Sequence, residues 1–259
     1  DAVSKDIIFG CHSVISPFLN IGLLTPQYVI DEIMKKYTKN KLASIEGLIR
    51  QIIGWREIIR LMYIFKHKEM KKLNYFKHKR KLDKNWYNGS ADNHVTDMPV
   101  IDDLIKKVME YGYAHHIERL MYLSNFMLLT ETKPDDAYEW FMTFIDAYPW
   151  VMSANVYAMG QYSTGPLLMT RPYFSSSNYI DKMSDYKTKV DTYKKIKLGS
   201  EEYEWFEVWN ALYYNFINNN QAIFSKNYAV ARSVSHWKKK SKSEQDRLVK
   251  IAKNYLKDY

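Results

Sequence analysis

Five polar side chains, His115, Glu118, Arg119, Tyr122 and Asn125, recur at helical spacing within Tyr113 to Thr130, YAHHIERLMYLSNFMLLT. At about 100° per residue they share one face with Phe126 and Leu129, while His116, Leu120, Leu123 and Met127 form a neighbouring, mostly apolar face. A helix apolar over so much of its circumference belongs in an interior. Each polar group on the buried face then needs a partner, from the protein or from something bound to it. A satisfied internal network and a binding site both fit this pattern.

Two further stretches offer binding chemistry. In SIEGLIRQIIGWREIIRLMYIF, the residues Ile45, Leu48, Ile49, Ile52, Trp55, Ile59, Met62 and Tyr63 form an apolar stripe with Arg56 in its middle. A guanidinium there must meet a carboxylate, carbonyls or a ligand, because an unpaired buried charge is very costly. Near the start, HSVISPFLNIG sets Ser13 and Ser16 around the amides of Val14 and Ile15. Such a turn can hold a phosphate through backbone N–H groups, or simply cap a helix.

The elements that must position these residues read as helices. Thr25 and Pro26 form an N-cap and first helical position for a helix over Gln27 to Lys36. Ser44 is expected to cap a helix that runs to about Phe65. A short amphipathic helix, Ile101 to Glu110, leads into the histidine stretch, and further helices are expected over Asp135 to Ile145, Glu201 to Asn218 and Ser243 to Leu256. Asp146 to Ile180 mixes aromatics, amides, Gly and Pro without a long period, which reads as a buried irregular wall. The Lys-rich stretch after Tyr186 reads as a surface loop. With only 9 Gly and 7 Pro in the chain, the fold class is all-α.

The 38 Lys and Arg against 29 Asp and Glu leave a net charge of +9, which favours a polyanionic partner. Lys66 to Lys84 is strongly basic with Tyr75 and Phe76 embedded, and Trp237 is followed by Lys238, Lys239, Lys240 and Lys242. Cations interleaved with aromatics suit a nucleic-acid backbone. The single cysteine, Cys11, excludes an intrachain disulfide framework and fits a reducing, intracellular compartment. No run is long and apolar enough to span a membrane, and DAVSKDIIFG is neither a signal nor a transit peptide, so the chain is expected to be neither secreted nor membrane-bound. The start at Asp1 suits a domain of a longer polypeptide, and the wealth of Lys, Asn and Tyr suits an AT-rich genome and a viral or nuclear setting. His67, His78, His94 and His236 do not fall at a metal-binding spacing, and no serine or cysteine nucleophile motif is present.

Taken together, GLIRQIIGWREIIR, HHIERLMYLSNFMLL, DAYPWVMSANVYAMGQY and RPYFSSSNYIDKMSDY resemble the C-terminal FAD-binding helical domain of the cryptochrome/photolyase family. More narrowly they are similar to the iron-sulfur bacterial-type branch, whose characterised members repair (6-4) photoproducts. The likeness runs from about Ile8 to Tyr228. It implies one FAD-binding domain over 1–259, with a flavin at its centre and DNA docked over the pocket mouth, the damaged bases flipped inward. The N-terminal antenna-binding α/β domain of the family is not in this chain, and a separate chain is one place for it.

The same resemblance assigns residues. Ser13, Val14, Ile15 and Ser16 match the turn around the flavin phosphate and ribitol. Trp55 and Arg56 match a Trp-Arg pair, with Arg near the flavin and Trp toward DNA. Arg119 matches the arginine beside the flavin ring, with Asp146 as its expected acidic partner, and Asn155 and Tyr157 match a stretch that lines that ring. His116, beside His115, matches the histidine that passes a proton to the lesion, and Trp140 the inner tryptophan of an electron-transfer route whose next position is Phe141. Leu120 with Lys238, Lys239 and Lys240 is expected on the DNA and lesion side, with both basic stretches beside the pocket.

Departures from the family pattern carry expectations too. The four cluster cysteines fall at Val100, Lys187, Val190 and Glu207, so an iron-sulfur cluster is expected to be absent, its region held by Trp205, Trp209 and Tyr213. Pro149 replaces an acidic residue, and Ser163-Thr164-Gly165-Pro166 replaces Ala-Asp-Gly-Gly near the flavin. Three functions follow: light-driven, FAD-dependent repair of UV photoproducts, with the (6-4) type favoured; a cryptochrome-like flavin photoreceptor; or a non-enzymatic, cofactor-free structural or DNA-associated descendant.

Overall fold

Proline and threonine start the first long helix as the sequence predicts: Thr25 is extended, its side chain accepts from Tyr28 N at 3.1 Å, and Pro26–Lys35 follows. The structure, a computed structural model, describes residues 2–10, 12–38, 41–88, 95–145, 148–190 and 193–259. Leu42–Ile49 begins before Ser44, which therefore caps nothing. The run then continues through a π-helical turn, Arg50–Trp55, into Arg56–Lys72, so it passes Phe65 and takes Lys66 to Lys72 into the helix. Of the expected stripe, only Ile52 and Ile59 are buried, while Leu48 and Trp55 are exposed. A π-turn shifts the phase of a helix, so a stripe drawn at 100° per residue loses its register across Arg50–Trp55.

Two more π-turns lie downstream, and both fall on stretches the sequence singled out. Pro99–Tyr111 ends at Gly112, whose φ of +60° and N–H to Val108 O form a left-handed cap. The histidine run is helical from His116, passes through the π-turn Glu118–Ser124 and ends as Asn125–Leu129. After Pro134–Phe144, the expected irregular wall is instead helical in its first part, as Pro149–Ser153 and the π-turn Ala154–Gly160. The mixed residue types there hid a helix because the π-turn breaks the 3.6-residue period.

Among the described residues the chain is all-α apart from one small hairpin, Ile196–Leu198 paired antiparallel with Glu201–Tyr203, whose first strand lies in the stretch expected to be a loop and whose second lies where the next helix was expected to begin. Trp205–Asn219 starts later than expected, behind a capping box in which Glu204 and Glu207 bond each other's backbone. It packs on Lys242–Asp258 and on Tyr228–Lys238, a helix the sequence reading did not include. Trp86, Phe126, Trp140 and Trp209 are fully buried in the main core. Among the described residues, no helix is long and apolar enough to cross a membrane.

The positions to which the resemblance assigns the cluster cysteines differ widely in exposure. Val100 is fully buried, Lys187 and Val190 are exposed, and Glu207 pairs with Arg247 at 2.9 Å. Close by, Tyr186 donates to Asp103 at 2.8 Å, and the Lys5 ammonium lies 4.5 Å and 4.6 Å from the ring centres of Tyr186 and Tyr193. Tyr193 meets Trp205 edge-on. Aromatic packing and a cation thus tie the N-terminal segment to this region.

Candidate flavin and DNA site

Three elements converge around His116 and Arg56. Arg56 opens its helix and is half-buried; its Nη1 donates to Asn20 Oδ1 at 3.3 Å, and its guanidinium lies 4.9 Å from the Trp150 ring centre. No carboxylate among the described residues forms an ion pair with it, so most of its five donors are unspent. Burial pulls its pKa below the ordinary value. A cleft of about 350 Å³ beside it is lined by Arg60, Tyr63 and Trp150, a size at the lower end for small-molecule sites.

His116 attaches to the same helical run as Arg56. Trp150, under Arg56, and Asn155, near enough to the His116 ring to favour its protonated form, are five residues apart, about 7 Å along the axis. His116 is solvent-accessible, yet protein surrounds the ring closely enough that desolvation, helped by the Arg119 charge, pushes its pKa down to about 4. Asn155 favours the protonated form but does not offset the burial. Leu120, one turn on, is buried against Ile59, Ala154 and Met159.

The N-terminal turn forms the third side. His12 stacks on His115 with centroids 4.5 Å apart, and Asn20 reaches Arg56, so the segment between them spans from the histidine helix to the Arg56 helix. Ser13 and Ser16 are exposed within it, Ile15 is partly buried, and Val14 has φ +53°. A β-branched residue there is strained. Trp55, next to Arg56, is 39% exposed.

Several polar groups of the histidine helix are satisfied internally. Glu118 accepts from Lys107 at 2.7 and 2.9 Å and from His115 N at 3.0 Å; burial raises its pKa, and Lys107 opposes that rise. Tyr122 donates to Met183 O, and Asn125 exchanges hydrogen bonds with Ser175. Arg119 Nε donates to Ala114 O. His115 is buried, its pKa pushed to about 3 by desolvation and by His12. The internal network suggested by the periodicity therefore accounts for Glu118, Tyr122 and Asn125.

Other expected site residues are placed differently. Tyr157 is fully buried, donates to Asp135 at 3.0 Å and stacks on Tyr138, which puts it in a core layer. Trp140 donates to Trp86 O at 2.9 Å with the two rings edge-on at 5.3 Å. Trp86 in turn donates to Tyr259 Oη at 2.9 Å. Lys238 and Lys239 are exposed at the end of their helix, whereas Lys240 pairs with Glu244 and lies over Tyr214. Asp146, the expected partner of Arg119, lies outside the described residues, as do Cys11 and His94. The contribution of Asn20 and Trp150 to the Arg56 recess was missed, because neither is adjacent to it in sequence. No group of three metal-ligating side chains converges among the described residues.

An Arg with spare donors, exposed serine hydroxyls and an exposed histidine make a donor set suited to a phosphate or a polar ring edge. Comparison with known proteins gives the family. No family model matches the chain. It is 34% identical to a (6-4) photolyase of Agrobacterium fabrum over 99% of its own length and 50% of that protein's. The chain therefore spans about half the length of that relative. The uncharacterized proteins R855 and R853 of Acanthamoeba polyphaga mimivirus are 39% and 41% identical over 51% and 44% of the chain, covering 94% and 85% of their own lengths. Nothing in these matches supports a separate antenna-domain chain. An all-helical fold and 34% identity along the whole chain agree: this chain belongs to the cryptochrome/photolyase family.

Proposed function

We propose that the chain is the FAD-binding half of a light-driven DNA repair enzyme for UV pyrimidine photoproducts, with the (6-4) type favoured. The observation that carries this reading is His116, exposed on the turn next to Arg119 and Asn155, in a chain that matches a (6-4) photolyase along its length. When bound, FAD would supply the photochemical electron that initiates repair. The protein's share is binding, orientation and proton placement.

Ser13, Ser16 and the nearby amides suit the phosphate end, and Arg56 supplies charge-assisted donors to the same group. Leu120, one turn on from His116, and Ile59, one turn on from Arg56, pack in one buried apolar cluster that joins the two helices. His116 rests neutral, since its pKa of about 4 lies below neutral pH. A negative charge developing beside it raises its proton affinity, so the exposed ring would take a proton from solvent water, leaving hydroxide in bulk, and be placed to pass that proton to the lesion. Trp55 and Lys238 with Lys239 are assigned to the DNA side by the family likeness.

A cofactor-free, DNA-associated scaffold is the second reading. It is favoured by Asn125 and Tyr157, which are bonded within the protein, and by Thr164 and Pro149 at flavin-proximal positions. The purified protein's visible absorbance separates the two: a flavin spectrum and light-dependent repair that is lost in His116→Ala support the enzyme. A colourless protein that binds no added FAD supports the scaffold, and a flavin-loaded protein without repair activity overturns the first reading in favour of a photoreceptor.

A further inference from the structure

A second recess lies away from the one just described. The run Lys77 to Lys81 lines a groove of about 800 Å³ whose facing wall carries Asn219 and Asn220. Four cations, Lys77, Lys79, Arg80 and Lys81, enter this lining against one carboxylate, Glu131, which already accepts from Asn219 Nδ2 at 3.2 Å. The neighbouring lysines Lys66 and Lys133 are paired with Glu69 and Asp135. Lys77, Lys79 and Lys81 have no ion-pair partner among the described residues, and all three are exposed.

This cationic loop is held in place before any ligand arrives. Asn74 and His78 bond each other's amides at 2.7 and 3.0 Å, Arg80 N donates to Glu131 O at 3.2 Å, and Lys133 N donates to Arg80 O at 2.7 Å. Arg80 Nε also donates to Thr130 O at 3.0 Å. Two left-handed residues, Lys77 at φ +60° and Glu131 at φ +61°, shape the two strands of this junction. Backbone strain of this kind persists only when the surroundings over-determine it. The fixed loop lowers the ordering cost of binding.

Two helices measure its distance from the first site. Arg80 is tied to Thr130, at the opposite end of the helical run that begins at His116, about 20 Å away along the axis. The helix Arg56–Lys72 likewise spans about 24 Å before the chain enters the groove. The groove is thus a separate surface, not the rim of the Arg56 recess, so this part of the Lys66 to Lys84 stretch does not lie beside the pocket as expected, because the helix Arg56–Lys72 carries it away.

We propose that this groove binds the phosphodiester backbone of nucleic acid, a second contact that extends the footprint beyond the recess mouth. Uncompensated cations spaced along a concave groove, with amide side chains opposite, suit a rod-like polyanion. An anionic membrane fits less well, because Phe76, the aromatic in the lining, packs edge-on against Phe216 and Phe224 in the interior and is not free to insert. The inference rests on the proposed function only in taking nucleic acid as the partner; it requires neither flavin nor repair.

The test is fluorescence anisotropy with an undamaged, labelled duplex of about 20 base pairs, titrated between about 50 and 200 mM salt. Against the wild-type chain, Lys77→Ala/Lys79→Ala/Lys81→Ala is expected to flatten the slope of log affinity against log salt by about 3 and to weaken binding at least about tenfold. The triple Lys→Arg variant keeps both, and far-ultraviolet circular dichroism shows that all three proteins are folded. An unchanged slope and affinity in the alanine variant overturns the proposal, as does wild-type protein that sediments with phosphatidylserine vesicles but does not bind the duplex. Light-driven repair is measured on the same samples. Repair with an unchanged salt slope sinks the groove alone, and a flattened slope without any repair sinks the repair reading alone.

Discussion

Gly160 stands so close to Ser124 that a Cβ at Gly160 would lie 2.5 Å from Ser124 Oγ and 2.6 Å from its Cβ. These residues end the two π-turns Ala154–Gly160 and Glu118–Ser124, which pack on each other and carry Asn155 and Leu120. Glycine in a helix normally disfavours it relative to alanine. Here the sign reverses. Gly160→Ala is expected to lose about 1–3 kcal/mol by overpacking, and Ser124→Gly in the same chain to restore most of it, as read by urea unfolding.

The Lys107 and Glu118 pair sits under the histidines with side-chain exposures of 13% and 1%. Lys107→Met leaves a buried carboxylate facing His115 and is expected to cost about 3–5 kcal/mol. The double variant Lys107→Met/Glu118→Leu should recover much of that loss, because it removes both desolvated charges. A double-mutant cycle by chemical denaturation gives the coupling.

Burial pushes the pKa of His78 down to about 4, below its unfolded value. The unfolded chain therefore binds more protons than the native one between those values, and stability falls as pH drops from about 6.5 toward 4. His115 and His116, shifted the same way, add to this loss. His78→Phe is expected to abolish a share on the order of 2–3 kcal/mol at pH 4 while changing little of the pH dependence above pH 7. Unfolding free energies at the two pH values check it.

Arg56 is bonded to Asn20 and stacked on Trp150, with donors to spare. On the proposed function, Arg56→Ala weakens FAD binding at least about tenfold, the worth of one charge-assisted hydrogen bond, and Arg56→Lys recovers only part of it. The readout is flavin retained through gel filtration. Equal retention in all three proteins removes Arg56 from the flavin site.

Much of the fold was legible because local signals were strong. Thr25 with Pro26 marks a helix start that the structure repeats, and the short helix before Gly112 lies where its apolar period places it, within a residue or two at each end. Ser44 misled because the following residues favour helix strongly enough to extend past it toward the N-terminus. Asp146 to Ile180 misled because a π-turn erases the periodicity on which the reading relies.

The site divides along the same line. Sequence alone determined the residue types: the twin histidines, an Arg inside an apolar stripe, a basic run with embedded aromatics, and no cysteine at the four cluster positions. Only the tertiary structure decided which of them face one another. Asn125 and Tyr157 turn to Ser175 and Asp135, while Asn20 and Trp150, distant in the chain, complete the surroundings of Arg56. The reason is physical: a helix fixes neighbours three to five residues apart, but partners for a buried charge come from whichever element packs against it.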